Sequence, residues 1–304
     1  KITFLQNSNL DSYMVIPPES TYLYHKFGEA PDSGKEVRIV FCDISNAFDK
    51  VWHHGLLLKL KSVGIDGYLL KDLKVTSQAQ KVTINSAESN SKLIEAGVHQ
   101  GSILGPLLFL IYNNDLVSNL TANARLFADD TSLYVLVDNP QESAVILNDN
   151  LNRIDSWANH WHVAFNPSKT VSIIFSRKVN KPIHPPLYMQ GQKSTDSLRH
   201  KHLGMTLSQI AAGNNHVNFI KEKACARLNM LRALKFKLDR KSLETLYISF
   251  IRPLLEYGDT LFDKCTKQDK QELDTIQLEA ARIVTAPTKL VSHERLYKES
   301  AGFS

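Results

Sequence analysis

The stretch RLFADDTSLYVLV, residues 125–137, places two adjacent aspartates, Asp129 and Asp130, between two apolar segments. The apolar segments favour two short β-strands, so the aspartates would occupy the tight turn of a hairpin. Turns favour aspartate for local reasons, and a hairpin tip without a chemical role is therefore the ordinary interpretation. The apolar residues on both sides favour a second interpretation, in which the fold holds the carboxylates at a sheet edge for catalysis.

A further acidic strand end lies upstream, because the apolar stretch Val37–Ile44 predicts a strand that carries Asp43 near its end. Two like charges about 4 Å apart repel by ~1 kcal/mol in water and by several times more in a partly buried site. A fold that brings Asp43, Asp129 and Asp130 together therefore needs a cation. Hard oxygen ligands suit Mg²⁺, and two such ions ~3.5–4 Å apart support in-line phosphoryl transfer.

The composition excludes several classes of protein. The 304 residues are 43% hydrophobic and 22% charged, which is ordinary for a globular protein and unlike a disordered or fibrous one. The longest nearly uncharged apolar run, Ile103–Tyr112, is far shorter than the ~20 residues of a membrane span, so no membrane partner is expected. Three cysteines are too few for a disulfide framework, and no secretory leader is recognisable. Because the chain starts at Lys1, we expect a piece of a longer protein.

The charge is distributed unevenly along the chain. Residues 1–177 contain 15 Lys and Arg against 18 Asp and Glu, whereas residues 178–304 contain 21 against 13. Eight of the basic residues lie within residues 221–241. This distribution indicates either a polyanionic partner bound by the second half or a solvated helical face, and charge alone favours neither.

The order of the predicted elements indicates an α+β protein. After the strand that ends at Asp43, helices are predicted over Gly55–Val63, Pro106–Leu120 and Gln141–His162. Residues 177–191 contain three prolines and predict a connector or a short hairpin. The remainder is mostly helical: a helix over Val217–Leu238, one capped by Ser242 and kinked near Pro253, and one opened by a Thr266–Asp269 capping box.

Five ordered motifs resemble those of reverse transcriptases. The first three are Phe41-x-Asp43-x-x-x-Ala47-Phe48-Asp49, Gln100-Gly101-Ser102-x-Leu104-Gly105-Pro106 and Phe127-Ala128-Asp129-Asp130, which resemble motifs A, B and C. Trp157-x-x-x-Trp161-x-x-x-Phe165-Asn166-x-x-Lys169 and Lys201-His202-Leu203-Gly204 resemble motifs D and E. The stretch SFIRPLLEYG, residues 249–258, is similar to the segment that follows the polymerase core in jockey-like non-LTR retrotransposons. The likeness extends over about residues 36–300.

The resemblance implies a right-hand polymerase: an antiparallel palm sheet with helices and partial fingers, followed by an all-helical thumb-like module. The implied domains are residues 1–36, a remnant of the fingers; 37–53 and 98–182, the palm; 54–97, a fingers insertion; 183–210, a connector and primer-grip hairpin; and 211–304, a basic helical thumb-like domain.

The implied activity is RNA-directed DNA synthesis, in which a dNTP is transferred to the 3′-hydroxyl of a primer on an RNA template with two Mg²⁺ ions, or Mn²⁺. The implied catalytic residues are Asp43, Asp129, Asp130 and Lys169, the last as the acid that protonates pyrophosphate. The implied metal ligands are Asp43, Asp129, Asp130 and the carbonyl of Ile44. Ala47, Phe48, Gln100 and Gly101 would bind the nucleotide, with Phe48 as a steric gate against ribose. Leu203, Gly204, Lys223, Arg227 and Arg232 would contact the template and primer.

Bland alternatives remain for the supporting residues: core packing for Phe48, an exposed helix-end position for Lys169, and an ordinary turn at Gln100-Gly101. Departures from the family pattern include His99 in place of proline, Asn113 in place of isoleucine, and an altered segment at residues 72–80. An inactive nucleic-acid-binding relic is therefore a second hypothesis. A two-metal nuclease is a third, although a nuclease does not need a sugar gate. The resemblance also implies further polyprotein domains, such as an endonuclease, and a nuclear location.

Overall fold

The computed structural model describes residues 27, 30–31, 33–68, 70, 79–209, 214–257 and 265–285. The chain divides into two compact units, one of residues 30–198 and one of residues 1–29 and 199–304. The predicted connector and hairpin segment, 183–210, is shared between the two units. Most of the predicted fingers remnant, the departures at residues 72–78 and the last part of the thumb-like domain, 286–304, lie outside the described residues.

The first unit contains short and long strands and three helices that shape the site. In chain order the strands are β1 (Glu36–Asp43), β2 (Ala79–Gln80), β3 (Thr83–Ile84), β4 (Ala87–Glu88), β5 (Lys92–Leu93), β6 (Asn123–Phe127), β7 (Asp130–Val137), β8 (Val171–Phe175), β9 (Tyr188–Met189), β10 (Gln192–Lys193) and β11 (Thr195–Asp196). The helices are α1 (His53–Ser62), α2 (Leu104–Asn113) and α3 (Pro140–His160).

The central sheet of this unit has five strands in the order β11-β8-β1-β7-β6. Every neighbouring pair is antiparallel except β11 with β8. In β1 every residue but Asp43 is buried, because neighbouring strands flank it on both sides. The core that supports the sheet includes Val40 and Leu133 from the strands and Leu60, Leu108 and Leu151 from the three helices. The predicted mixed class of sheet and helix is confirmed.

A buried lysine connects the helices of this core. Nζ of Lys59, on α1, donates to the carbonyl of Tyr112 on α2 and lies 2.5 Å from Oδ1 of Asp115. The same ammonium is 3.9, 4.6 and 4.9 Å from the ring centroids of Trp161, Trp157 and Tyr112. Burial lowers the pKa of Lys59, and the hydrogen bond and charge of Asp115 oppose that shift. Cation–π contacts and the ion pair thus fasten α1 and α2 to the end of α3.

The second unit consists of a β-hairpin and a set of helices. Its strands are β12 (Arg199–His202) and β13 (Met205–Ser208), and its helices are α4 (Asn214–Leu234), α5 (Arg240–Leu246), α6 (Arg252–Glu256) and α7 (Lys267–Thr285), with a π-helical turn at Tyr247–Ile251 between α5 and α6. Leu228, Leu243, Tyr247, Ile276 and Ile283 belong to its shared core. No described helix is both long and apolar enough to cross a membrane.

Several helix boundaries differ from the sequence prediction, among them α4, which covers Asn214–Leu234 rather than Val217–Leu238, and two of the differences have a clear local cause. Helix α2 ends at Asn113 rather than Leu120, because the polar residues that follow form turns and Asp115 pairs with Lys59. Ser242 does not cap α5: Asp239 does, and its side chain accepts from the amide of Ser242 at 3.0 Å.

Two other local predictions concern the ends of the later helices. The predicted capping box is confirmed, since the amide of Asp269 donates to Oγ1 of Thr266 at 3.1 Å and the amide of Thr266 donates back to Oδ2 of Asp269 at 3.3 Å. The irregularity predicted near Pro253 takes the form of the π-helical turn that precedes this residue.

The role of Lys59 can be tested by stability measurements. Lys59→Met keeps a similar volume but removes the ammonium, and is expected to lower the free energy of unfolding by about 2 kcal/mol, since Asp115 and the aromatic rings lose their shared cation. The control Lys61→Met changes an exposed lysine on the same helix and should stay within about 0.5 kcal/mol of the wild type. Denaturant unfolding curves give both values, and equal effects would contradict the role assigned to Lys59.

Candidate active site

Three of the predicted carboxylates meet at one end of the central sheet. Asp43, the last residue of β1, pairs directly with Asp130, the first residue of β7. A two-residue loop, Ala128-Asp129, joins β6 to β7. Only the first loop residue, Ala128, has a positive φ, +53°, which is the pattern of a type II′ turn. The turn therefore sets Asp129 next to Asp130, at the end of the sheet that Asp43 also occupies.

Burial, together with the crowding of these groups, raises the pKa of Asp130 to about 6. Burial is the largest cause, and the negative charges of Asp129 and Asp43 add to it. Without a cation, the carboxyl of Asp130 therefore holds a proton at mildly acidic pH. A nearby cation would favour its ionised form.

Lys169 lies beside the carboxylates, with its Nζ 3.3 Å from Oδ2 of Asp43. The segment that carries this lysine is fixed to the end of β1, because the amide of Asn166 donates to the carbonyl of Asp43 at 2.8 Å. The side chain of Asn166 accepts from the amide of Ser168 and caps the 3-10 turn Pro167–Lys169. The Lys169 side chain is 66% exposed, so this ion pair is weak and open to exchange.

The chemistry of these donors fits a hard divalent cation, since carboxylate oxygens and carbonyls are the ligands that Mg²⁺ prefers. In the bridge between Ile44 and Phe165, the hydrogen bonds use the carbonyl of Asp43 and the amide of Ser45, and the carbonyl of Ile44 is not used there. Within the described ranges, no group of three or more His, Cys, Asp or Glu side chains is arranged to hold a metal ion. A bound ion would therefore take several ligands from water or a substrate phosphate.

The predicted nucleotide-binding residues come from two loops that contact each other. Ala47 and Phe48 follow β1, whereas Gln100 and Gly101 precede α2. Nε2 of Gln100 donates to Oδ1 of Asp49 at 3.0 Å and so joins the loops. Gly101 has a φ of +83° with open space where a Cβ would lie, so glycine is needed there for its backbone conformation.

Phe48 packs against the core next to this junction. Its ring centroid is 5.0 Å from that of Phe109 on α2, with an interplanar angle of 33°. Phe48 is partly buried, and Ala47 beside it is buried. Packing is thus one role of Phe48, and a gate for the sugar stays a prediction.

Asn113, which departs from the family pattern in sequence, supports the acidic turn in the structure. It is 3% exposed, and its Nδ2 lies 3.4 Å from the carbonyl of Ala128, which it can approach as a donor. The last turn of α2 thereby contacts the turn that carries Asp129 and Asp130. An amide on the buried side of an apolar helix is the one signal for this role in the sequence.

The remaining predicted residues lie in the second unit. Leu203 and Gly204 form the two-residue loop between β12 and β13. Lys223 lies 4.4 Å from the ring of Phe219. Arg227 donates to the carbonyl of Phe250, and Arg232 pairs with Glu279. Some of the basic side chains of α4 are therefore already engaged in contacts within the unit.

Comparison with known proteins adds to this geometry. A family model described as reverse transcriptase (RNA-dependent DNA polymerase) matches residues 4–207. The probable RNA-directed DNA polymerase from transposon BS of Drosophila melanogaster is 29% identical over 273 residues, or 84% of this chain. The RNA-directed DNA polymerase from mobile element jockey of the same species is 26% identical over 281 residues, or 88% of this chain. The chain spans 30% of the length of each relative. The solved structure of apo telomerase from Candida tropicalis has a TM-score of 0.46 and 10% identity, over 89% of this chain and 50% of that one.

The crowded carboxylates predict a pH dependence of stability in metal-free solution. The pKa of Asp130, about 6, exceeds that of an unfolded aspartate, so the folded chain binds more protons in this window and stability falls as the pH rises through it. Asp130→Asn removes this contribution. As the pH rises from about 4 to about 7, the free energy of unfolding of this variant should therefore fall by about 2 kcal/mol less than that of the wild type. Asp66→Asn, at an exposed position, should follow the wild-type profile. Unfolding curves at each pH in the presence of a chelator give the profiles, and identical profiles for the wild type and Asp130→Asn would rule out the raised pKa of Asp130.

Proposed function

Because this chain belongs to the reverse transcriptase (RNA-dependent DNA polymerase) family, we propose that it synthesises DNA on an RNA template as part of a non-LTR retrotransposon protein. Family membership also gives the right-hand polymerase fold class expected from the sequence. The observation that carries the proposal is the pairing of Asp43 with Asp130, beside Asp129, at one sheet end. In this proposal strands β1, β6, β7 and β8 of the central sheet belong to the palm, and β2–β5 belong to the fingers insertion.

The carboxylates of Asp43, Asp129 and Asp130, with the carbonyl of Ile44, would hold two Mg²⁺ ions, with Mn²⁺ as an alternative. Bound ions would lower the pKa of the primer 3′-hydroxyl and neutralise charge on the triphosphate. The raised pKa of Asp130 supports this assignment, because burial and the nearby charges of Asp129 and Asp43 both disfavour its ionised form, and a divalent cation would offset both.

Lys169 would donate a proton to the departing pyrophosphate. Its ammonium lies 3.3 Å from Oδ2 of Asp43, so a proton donor is present next to the carboxylates that would bind the metal ions. The exposed ion pair can give way when another cation binds Asp43, which would leave the ammonium available to an anionic leaving group.

The loops around Phe48 and Gln100 would bind the incoming nucleotide. Because Gly101 has no side chain, its backbone could approach a base pair closely. The side-chain amide of Gln100 could form a hydrogen bond with a nucleic-acid strand. The ring of Phe48, held against Phe109, would leave room for deoxyribose but not for a ribose 2′-hydroxyl.

The partners in this proposal are an RNA template, a DNA primer and dNTPs. The hairpin tip at Leu203-Gly204 and the cations Lys223, Arg227 and Arg232 would contact them through the phosphate backbone, without reading sequence. Further domains of a longer polyprotein, including an endonuclease, would supply a nicked target in the nucleus. The greater length of the relatives supports such additional domains.

Primer extension tests the proposed activity. The chain should add dNTPs to a DNA primer on an RNA template with Mg²⁺, and Asp129→Asn should slow this on the order of 10³-fold, because it removes a charge that would hold the metal ions. Asp66→Asn should leave the rate unchanged. Duplex binding without incorporation would instead favour an inactive relic, strand cleavage would favour a nuclease, and full activity of Asp129→Asn would refute the site.

The gate assignment is tested by the choice of sugar. Phe48→Val opens space beneath the nucleotide and should reduce the preference for dNTPs over ribonucleotides, measured as a ratio of kcat/KM, by about tenfold. Phe175→Val truncates a buried ring near the other end of the central sheet, where Phe175 pairs with Val37, and should lower stability by ~3 kcal/mol without changing that ratio. If Phe48→Val lowers stability but leaves the kcat/KM ratio for the two sugars unchanged, the role of Phe48 is packing only.

A further inference from the structure

The stretch SFIRPLLEYG, residues 249–258, resembles a family motif, but the proposed function assigns no role to it. Its described part forms the end of the π-helical turn, helix α6 and Tyr257, the residue directly after α6. Pro253 and Leu254 are buried and anchor α6 in the second unit. The amide of Tyr257 donates to the carbonyl of Pro253 at 3.1 Å, which fixes where the tyrosine leaves the helix.

The side chain of Tyr257 reaches the tip of the β12–β13 hairpin in the same unit. Its hydroxyl donates to the carbonyl of Leu203. A Cβ on Gly204 would lie 2.7 Å from Oη of Tyr257 and 3.2 Å from ring atoms Cε1 and Cζ. The hairpin tip is therefore held by a hydrogen bond at one residue and by close packing at the next.

The tip needs such support because its backbone conformation is unusual. Leu203 and Gly204 have φ values of +47° and +79°, the pattern of a type I′ turn. Glycine adopts this conformation freely, whereas leucine is strained in it. Met205 and Leu207 of β13 are buried, so the base of the hairpin is anchored while Gly204 at the tip is exposed. Burial raises the pKa of Tyr257, so its hydroxyl keeps its proton and remains a donor at neutral pH.

We propose that Tyr257 is a positioning residue that fixes the hairpin tip Leu203-Gly204 in the orientation that receives the 3′ end of the primer. The assignment of the primer end to this tip rests on the proposed function. Tyr257 acts through the backbone of the tip and does not itself contact a reacting group. The tyrosine of the SFIRPLLEYG stretch thereby has an assigned role.

The test replaces only the hydroxyl, in Tyr257→Phe, with Tyr188→Phe as the control at a half-exposed tyrosine of the first unit. Amide hydrogen exchange at residues 202–205 should become about fivefold faster in Tyr257→Phe, the loss expected for one hydrogen bond. Affinity for an RNA–DNA duplex with a recessed DNA 3′ end should fall about fivefold, while affinity for a duplex without a recessed end stays the same. Gly204→Ala, which forces a Cβ towards Oη, should weaken the same affinity and combine non-additively with Tyr257→Phe.

Each readout separates the inference from the proposed function. Unchanged exchange at the tip in Tyr257→Phe would overturn the inference, as would equal losses for both duplexes, which would indicate a general structural role. Failure of the wild type to extend any primer would refute the proposed function but leave the exchange and binding measurements decisive for Tyr257. Changes of the same size in Tyr188→Phe would also overturn the inference.

Discussion

The pairing of β1 with β7 forces like charges together, because its register sets Asp43 opposite Asp130 and the adjoining turn adds Asp129. Burying Asp130 among like charges costs folding free energy, and its raised pKa reflects that cost. Lys169 offsets only part of it, since its ion pair with Asp43 is largely exposed and therefore weak. The rest must come from packing that holds both strands in place whether or not a cation is present.

That packing lies around the strand ends rather than at them. The central strand β1 is buried between β7 and β8, and the helices that cover the sheet are fastened together through Lys59. Asn113 at the end of α2 contacts the carbonyl of Ala128 and so links the helix to the acidic turn. A site built on strands and helices in this way is more rigid than one built on loops, which suits chemistry that depends on the positions of a few oxygen atoms.

The parts of this structure that are predictable from sequence are those with local causes. Apolar runs that end in aspartate predict the two strand ends, since strand character and burial both follow from nearby residues. The cap of α5 is mispredicted because Asp239 and Ser242 are both good capping residues three positions apart, and the sequence does not say which one the helix uses. The contact of Asn113 and that of Tyr257 join residues 15 and 54 positions apart in the chain, and tertiary packing alone decides such pairs.

The register of β1 has a further cause at the opposite end of the same strand. Glu36 and Arg38 are buried there, and Oε2 of Glu36 lies 3.4 Å from Nζ of Lys178 and 3.5 Å from Nε2 of His184. A slip of β1 by one residue would turn every side chain to the other face of the sheet. It would remove Glu36 from the Lys178 ammonium and from the His184 ring, whose pKa is lowered by burial, at the high cost of an unpaired buried charge, and would separate Asp43 from Asp130. The ion pair of Glu36 at the start of the strand therefore opposes a change of register that would separate the carboxylates at its end.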